Sequence, residues 1–122
     1  MVLLDPDNKT VLIVEDDEQV RDAIAEALQD EGYTVRIAAN GREALDALGT
    51  GQNEPRLILL DLAMPVMDGW EFLRERERHP RLAGIPVCAV TAAENLPGDV
   101  EHGIRKPFRL EDLLAVVARY VP

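Results

Sequence analysis

The sequence predicts an α/β domain built around a parallel sheet. Short, strongly apolar runs alternate with segments whose apolar residues recur at helical spacing, and polar residues follow the apolar runs directly. Strands that alternate with helices form parallel sheets, with right-handed crossovers as the rule. The 122 residues, 47% of them apolar, suit one such unit. We therefore expect a single domain over residues 1–122, in which residues 1–9 are an N-terminal extension and no output domain follows.

The charge balance and the single cysteine limit the possible binding partners and the cellular compartment. With 13 basic and 23 acidic residues, the net charge of −10 opposes binding to nucleic acid phosphates or anionic membranes. Cys88 cannot form an internal disulfide, the N-terminus does not resemble a signal peptide, and no segment reaches transmembrane length. We expect a cytoplasmic protein with no direct nucleic acid or membrane partner.

The first strand is predicted at residues 10–14, a β-branched apolar run that ends at the acids Glu15, Asp16 and Asp17. A helix follows and stops near Gly32, and Asp17 is in position to cap its start. This helix carries one apolar stripe made of Val20, Ala23, Ile24, Ala27 and Leu28.

The next two elements are a strand and a short helix. Residues 33–37 alternate between polar and apolar, as in a half-buried strand. Asn40 then opens a helix by capping, with Glu43 three residues later. Its inward positions would be Ala44, Leu45 and Leu48.

The central strand is predicted at residues 57–60, four apolar residues that end at Asp61. In an open parallel sheet, ligands bind at the carboxyl ends of the strands, so an acid there is a candidate active group. Asp61 is not needed as a helix cap, because Asp68 with Glu71 can open the third helix itself. The alternating charges of residues 74–78 later in that helix indicate a solvated face.

The C-terminal part contains two strands and a last helix. Residues 87–90 form an apolar strand that ends at Thr91, and residues 103–105 form a short last strand before Lys106. The final helix begins near Leu110, with a stripe made of Leu113, Leu114, Val117 and Tyr120.

Five polar residues, Glu15, Asp16, Asp61, Thr91 and Lys106, thus follow predicted strands and should share one edge of the sheet. Crowded carboxylates raise one another's pKa, and a hard cation with oxygen ligands such as Mg2+ relieves that cost. Asp61 could then attack a phosphoryl group, while Lys106 and Thr91 contact its oxygens. Taken singly, a lysine before proline is often merely exposed, and a threonine often merely ends a strand.

The sequence resembles the receiver domain of two-component response regulators over nearly its whole length. That resemblance implies a flavodoxin-like fold with strand order 2-1-3-4-5. It also implies that Asp61 accepts phosphate from a sensor histidine kinase or a histidine phosphotransfer protein. The matching segments are residues 11–17, residues 60–69, Val90-Thr91-Ala92 and Lys106-Pro107-Phe108.

Carried over residue by residue, the resemblance assigns Asp16 and Asp61 as direct Mg2+ ligands. Glu15 would act directly or through water, and the main-chain carbonyl of Ala63 would be a further ligand. Thr91 and Lys106 would take the switch roles. The function implied is a stand-alone phosphoacceptor that signals to an unknown downstream protein as a monomer or weak dimer. It would not be an enzyme beyond its own phosphotransfer and slow autodephosphorylation.

The sequence departs from this family between Thr91 and Lys106, which only fourteen residues separate. This is about two helical turns fewer than the family usually has, so the fourth helix must be shortened or missing. We expect at most a turn or two of helix at residues 98–102 and an irregular, mobile loop at residues 92–96. Gly103 stands where relatives commonly carry a switch aromatic.

Two other functions stay open. A degenerate receiver could keep the fold as a non-switching binding module, which the shortened fourth-helix region favours and the intact acidic cluster argues against. An aspartyl-nucleophile phosphohydrolase of the haloacid dehalogenase type would normally need a second aspartate two positions after Asp61, where this chain has Ala63. A flavin- or nucleotide-binding relative is weaker still, since no glycine-rich loop follows the first strand.

Overall fold

The computed structural model describes residues 7–92, 96, 98 and 100–122. These residues form five strands: β1 Thr10–Val14, β2 Thr34–Ala38, β3 Leu57–Leu60, β4 Val87–Thr91 and β5 His102–Arg105. The helices are α1 Glu18–Asp30, α2 Gly41–Leu48, α3 Gly69–Glu77, α4 Pro80–Ala83 and α5 Leu110–Tyr120. None of the helices in this described part of the chain combines the length and the hydrophobicity that a membrane-spanning helix requires.

The strands form one parallel sheet in the order β2-β1-β3-β4-β5, which confirms the predicted flavodoxin-like fold. Val14 and Leu60, the last residues of β1 and β3, are register partners. The Asp61 N–H continues this pairing by donating to the Val14 carbonyl at 3.0 Å. Glu15 and Asp61 therefore leave the sheet side by side.

Two apolar cores lie on opposite faces of the sheet. Successive side chains of a strand point to opposite faces, so β1 and β3 each contribute to both cores. Leu12 and Ile58 pack toward Phe72 of α3, whereas Val11 and Leu57 belong to the core beneath α1 and α5. Burial on both faces explains the continuous apolar runs of these strands.

Two local predictions need correction, and one helix was not predicted. β2 begins at Thr34 rather than at residue 33, and the Tyr33 hydroxyl donates to the Val121 carbonyl at 2.8 Å. The short helix α4 was not predicted; it precedes β4 and is distinct from the family's fourth helix, which was expected between Thr91 and Lys106. The solvated face expected at residues 74–78 is wrong for Arg76, which is only 3% exposed and donates to the carbonyls of Ala83 and Ile85 at 3.0 and 2.6 Å.

The connection from β4 to β5 contains no helix among its described residues. Gly98 lies in a turn, Glu101 in a bend, and β5 already begins at His102. These described residues therefore contain no helix, which is within the predicted limit of at most a turn or two at residues 98–102. The loop predicted at residues 92–96 lies partly outside the described residues, as do residues 97 and 99. β5 covers residues 102–105 and is therefore one residue longer than the strand predicted at residues 103–105.

Glu101 holds the end of this connection against the start of β4. Its N–H donates to the Val87 carbonyl at 2.9 Å, and its carboxylate accepts from the Val87 N–H at 2.7 Å. One acidic residue thus satisfies both main-chain groups of Val87, which lets β5 begin after a short connection.

Candidate functional site

The carboxyl ends of β1 and β3 bring three acids together. Carboxylate oxygens of Glu15, Asp16 and Asp61 all lie within 4.8 Å of one another. Glu15 is 3% exposed and Asp61 6%, whereas Asp16 is exposed. The cluster therefore has a buried floor and an open side toward solvent.

Lys106 reaches this cluster from the end of β5. Its ammonium nitrogen lies 2.7 Å from Glu15 Oε1 and 3.3 Å from Asp61 Oδ2. The Lys106 N–H donates to the Thr91 carbonyl at 2.9 Å, so its backbone is fixed to the end of β4. Thr91 is itself buried. The five residues predicted to share one edge of the sheet all lie at strand ends on that edge.

Burial and mutual charge shift the titration of this cluster. Burial raises the pKa of Glu15, and the nearby Asp61 raises it further, although the hydrogen bond from Lys106 offsets part of the shift. Burial alone would lower the pKa of Lys106, but its hydrogen bond to Glu15 and the charge of Asp61 raise that pKa overall. Lys106 therefore remains a cation between two carboxylates.

The donor set fits a hard divalent cation. The three clustered side chains offer only carboxylate oxygens, the ligands that Mg2+ prefers, and Lys106 supplies one positive charge against three carboxylates. Glu15, Asp16 and Asp61 would hold the ion. That the carbonyl of Ala63 is a further ligand stays a prediction. The switch roles of Thr91 and Lys106 also stay predictions.

Asp17 is not part of this donor set. Its carboxylate accepts from the N–H groups of Gln19 and Val20 at 3.0 and 3.2 Å, which confirms that it caps α1. Its own N–H donates to Glu15 Oε2 at 3.2 Å. Asp17 thus connects the N-terminus of α1 to the buried Glu15 carboxylate.

The loop after Asp61 folds back on the site. The Ala63 N–H donates to Asp61 Oδ1 at 3.1 Å, which orients the carboxylate. A side chain at Gly69 would collide with main-chain atoms, because its Cβ would lie 2.6 Å from the Asp61 carbonyl oxygen and 2.7 Å from Leu62 Cα. Only glycine allows α3 to start this close to the phosphoacceptor candidate.

A shallow groove opens beside Lys106. Its volume is about 600 Å³, and its lining is almost wholly apolar. The walls come from the first half of α1 and from the segment that follows β5. The main lining residues are Val20, Ala23, Ile24, Pro107, Phe108 and Leu110.

Reasoning from sequence missed the junction between β2 and α2. The Glu15 N–H donates to the Ala38 carbonyl at 3.0 Å, and the Gly41 N–H donates to the Met67 carbonyl at 2.9 Å. The available signal was Gly41 itself. Glycine is a poor helix former, and its place at the first position of α2 indicates a close approach rather than helix propensity.

Comparison with known proteins places these observations in one family. The sequence model of the family described as the response regulator receiver domain matches residues 11–118. The sensor kinase CckA of Brucella abortus is 42% identical over 113 residues, which cover 88% of this chain and 12% of that protein. The response regulator MprA of Mycolicibacterium vanbaalenii is 35% identical over 114 residues, covering 86% of this chain and 47% of MprA. The chain thus spans less than half the length of these relatives.

Solved structures give the same result. The receiver domain of a signal transduction histidine kinase from Syntrophus aciditrophicus superposes with a TM-score of 0.81 at 31% identity, covering 93% of this chain and 89% of that one. The response regulator TrrA of Thermotoga maritima, solved in complex with Mg(2+)-BeF, has a TM-score of 0.79 at 27% identity and covers 92% of this chain and 98% of its own. With the parallel sheet, the acidic cluster and the family match together, this chain belongs to the response regulator receiver domain family.

Proposed function

We propose that this chain accepts a phosphoryl group on Asp61 from a histidine kinase or a histidine phosphotransfer protein, with Mg2+ as cofactor. The observation that carries the proposal is the buried Asp61 carboxylate, which lies within 4.8 Å of the Glu15 and Asp16 carboxylates and 3.3 Å from the Lys106 ammonium.

The transfer uses the groups of the chain in defined roles. An Asp61 oxygen attacks the phosphorus of a phosphohistidine, the P–N bond breaks, the P–O bond of an aspartyl phosphate forms, and the imidazole leaves with the electron pair of the broken bond. Mg2+, when bound, offsets the charge of the phosphoryl oxygens and the carboxylates. Lys106 exchanges its Glu15 contact for a phosphoryl oxygen, and Thr91 donates a hydrogen bond to another.

The groove beside Lys106 supports a protein donor. Residues such as Val20 and Phe108 form its apolar walls, and Lys106, which contacts Glu15 and Asp61, also lines it. A helix that carries the donor histidine could bury its apolar face there while its imidazole reaches Asp61. We propose that the chain acts in the cytoplasm as a stand-alone receiver, a monomer or weak dimer, and passes its signal to a downstream protein by contact. Apart from its own phosphotransfer and slow autodephosphorylation, it would catalyse no reaction.

The experiment is a labelling reaction with acetyl phosphate and Mg2+, read by intact mass. We expect a gain of one phosphoryl group, its loss in excess chelator, and no labelling of Asp61→Asn. The matched control is Asp68→Asn, because Asp68 caps α3 through Glu71 outside the cluster and asparagine caps equally well. Labelling of Asp61→Asn at the rate of the parent would show that the site is elsewhere.

Two observations favour a degenerate binding module as the second candidate: the described part of the β4–β5 connection contains no helix, and position 103 is glycine. Amide exchange with and without beryllofluoride separates the two candidates. A switching receiver should gain protection in β5 and the segment that precedes it, since Lys106 and Thr91 lie at their ends. Labelling without any such change would favour the binding module. The phosphohydrolase alternative is disfavoured by the receiver family match and by Ala63.

A further inference from the structure

The junction Ala38–Gly41 joins the two acid-bearing loops through main-chain hydrogen bonds. On one side the Ala38 carbonyl accepts from the Glu15 N–H at 3.0 Å, and on the other the Gly41 N–H donates to the Met67 carbonyl at 2.9 Å. Glu15 lies in the loop after β1, and Met67 in the loop after Asp61. The junction therefore links both halves of the acidic cluster without contributing a side chain to it.

The contact at Gly41 is too close for any side chain. A Cβ at this position would lie 2.8 Å from Met67 Cγ and 2.9 Å from the Met67 carbonyl oxygen. Gly41 is buried, and it is not among the positive-φ residues. Glycine is thus required here because of the close approach, not because of an unusual dihedral angle.

The middle of the loop after Asp61 depends on this contact. The ends of the loop are fixed by the Ala63 N–H to Asp61 and by the Gly69 N–H to the Leu62 carbonyl at 3.1 Å. Among the described residues, the Gly41 N–H to Met67 carbonyl bond is the only bond between main-chain groups that joins residues 62–68 to a distant part of the chain.

We propose that Gly41 is a positioning residue of the acidic site, which sets the loop that follows Asp61 and carries Ala63 at its distance from Glu15. The inference rests on the proposed function, since it assumes that these loops hold Mg2+. This ion demands nearly ideal octahedral geometry, so a displacement of a few tenths of an ångström between the loops weakens binding. Groups that support metal ligands typically change affinity by about 10- to 100-fold when mutated.

The test is cation affinity in Gly41→Ala, measured with Mn2+ through the paramagnetic resonance signal of the free ion. Mn2+ shares the preference of Mg2+ for oxygen ligands. We expect the Mn2+ dissociation constant to rise about tenfold or more. Labelling by acetyl phosphate should slow at low Mg2+ and recover at high Mg2+. The control is Gly84→Ala, because the nearest atom to a Cβ there is 3.7 Å away and the site is remote.

Two further variants keep the proposal testable if Gly41→Ala folds poorly. Asn40→Ala removes the side-chain oxygen that accepts from the Glu43 N–H at 2.9 Å, which loosens the first turn of α2. It should raise the Mn2+ dissociation constant by less than about tenfold, a smaller effect than at Gly41, because the Met67 bond remains. Adding Met67→Ala to Gly41→Ala removes the side-chain clash and should restore part of the affinity.

Unchanged Mn2+ affinity in folded Gly41→Ala, or in Asn40→Ala where the first does not fold, would overturn the inference. A variant that only lowers the free energy of unfolding would show a purely structural role. If the parent chain itself neither binds Mn2+ nor becomes labelled, the proposed function fails instead. The two failures are therefore distinguishable.

Discussion

The two halves of the site edge are built very differently. β1 and β3 are buried along their whole length and deliver Glu15 and Asp61 from the centre of the sheet. β5 is a partly exposed edge strand of four residues, ends at an exposed Arg105, and delivers Lys106. The anionic half of the site therefore rests on the best-packed part of the molecule, and the cationic half on one of its edges.

This difference assigns separate tasks to the two halves. Under the proposed function the acids hold Mg2+ and need fixed positions, because metal ligands tolerate little displacement. Under the proposed function Lys106 exchanges its Glu15 contact for a phosphoryl oxygen, and an edge strand with fewer buried contacts allows such movement at lower cost. The main-chain bond from Lys106 to Thr91 keeps that movement coupled to β4.

The largest expected effect tests this contrast in stability. Ile58 of β3 is fully buried, so Ile58→Ala should lower the free energy of unfolding by about 3–4 kcal/mol. Ile104 of β5 is only partly buried, and Ile104→Ala should cost about 1–2 kcal/mol because less apolar surface is exposed and less cavity is left. Urea unfolding of both variants measures the difference. Equal losses would mean that the edge is packed as firmly as the centre.

Most of the sheet was predictable because its central strands are buried on both faces. Residues 10–14 and 57–60 are continuous apolar runs, a pattern that survives without knowledge of tertiary contacts. The joint position of Glu15, Asp16 and Asp61 followed from the rule that parallel strands end at one edge. Their proximity is geometry, whereas their roles remain predictions.

The features that the sequence concealed depend on tertiary contacts. Arg76 lies in a run of alternating charges, yet it is buried because the carbonyls of Ala83 and Ile85 accept its guanidinium hydrogens. From the sequence, Glu101 cannot be distinguished from a solvated acid, although it makes hydrogen bonds to both main-chain groups of Val87. Gly41 appeared to be the start of a helix, and its contact with Met67 needs residues far apart in the chain.

A smaller effect is expected at the edge, where Leu96 packs on Gly103. A Cβ at Gly103 would collide with the Leu96 side chain, which is 46% exposed and can move outward. Gly103→Ala should therefore lower the free energy of unfolding by about 1 kcal/mol, at the low end of the cost of overpacking. Adding Leu96→Ala should relieve the collision and recover most of this loss, as measured by urea unfolding. If the double variant is less stable than the single one, the contact does not limit position 103.

The smallest effect concerns Val66 in the loop after Asp61, on the anionic half. Its φ is +68°, and the Met67 N–H donates to the Pro65 carbonyl at 2.7 Å across it, which is the hydrogen bond of a γ-turn. A β-branched residue at positive φ is strained, at a cost of about 1–3 kcal/mol. Val66 is 80% exposed, so its side chain contributes little burial in return.

Val66→Gly should relieve that strain and lose about 0.5–1 kcal/mol to the greater freedom of glycine in the unfolded chain. We expect a net gain of about 0.5 kcal/mol in the free energy of unfolding. Val66→Ala is the matched control: it removes the branch but keeps a Cβ, and it should gain less. Mn2+ affinity should stay at the parent value in both variants, because the bond from Gly41 to the Met67 carbonyl still fixes the loop. A gain in stability accompanied by weaker Mn2+ binding would instead mean that the strained turn itself holds the anionic half in its geometry.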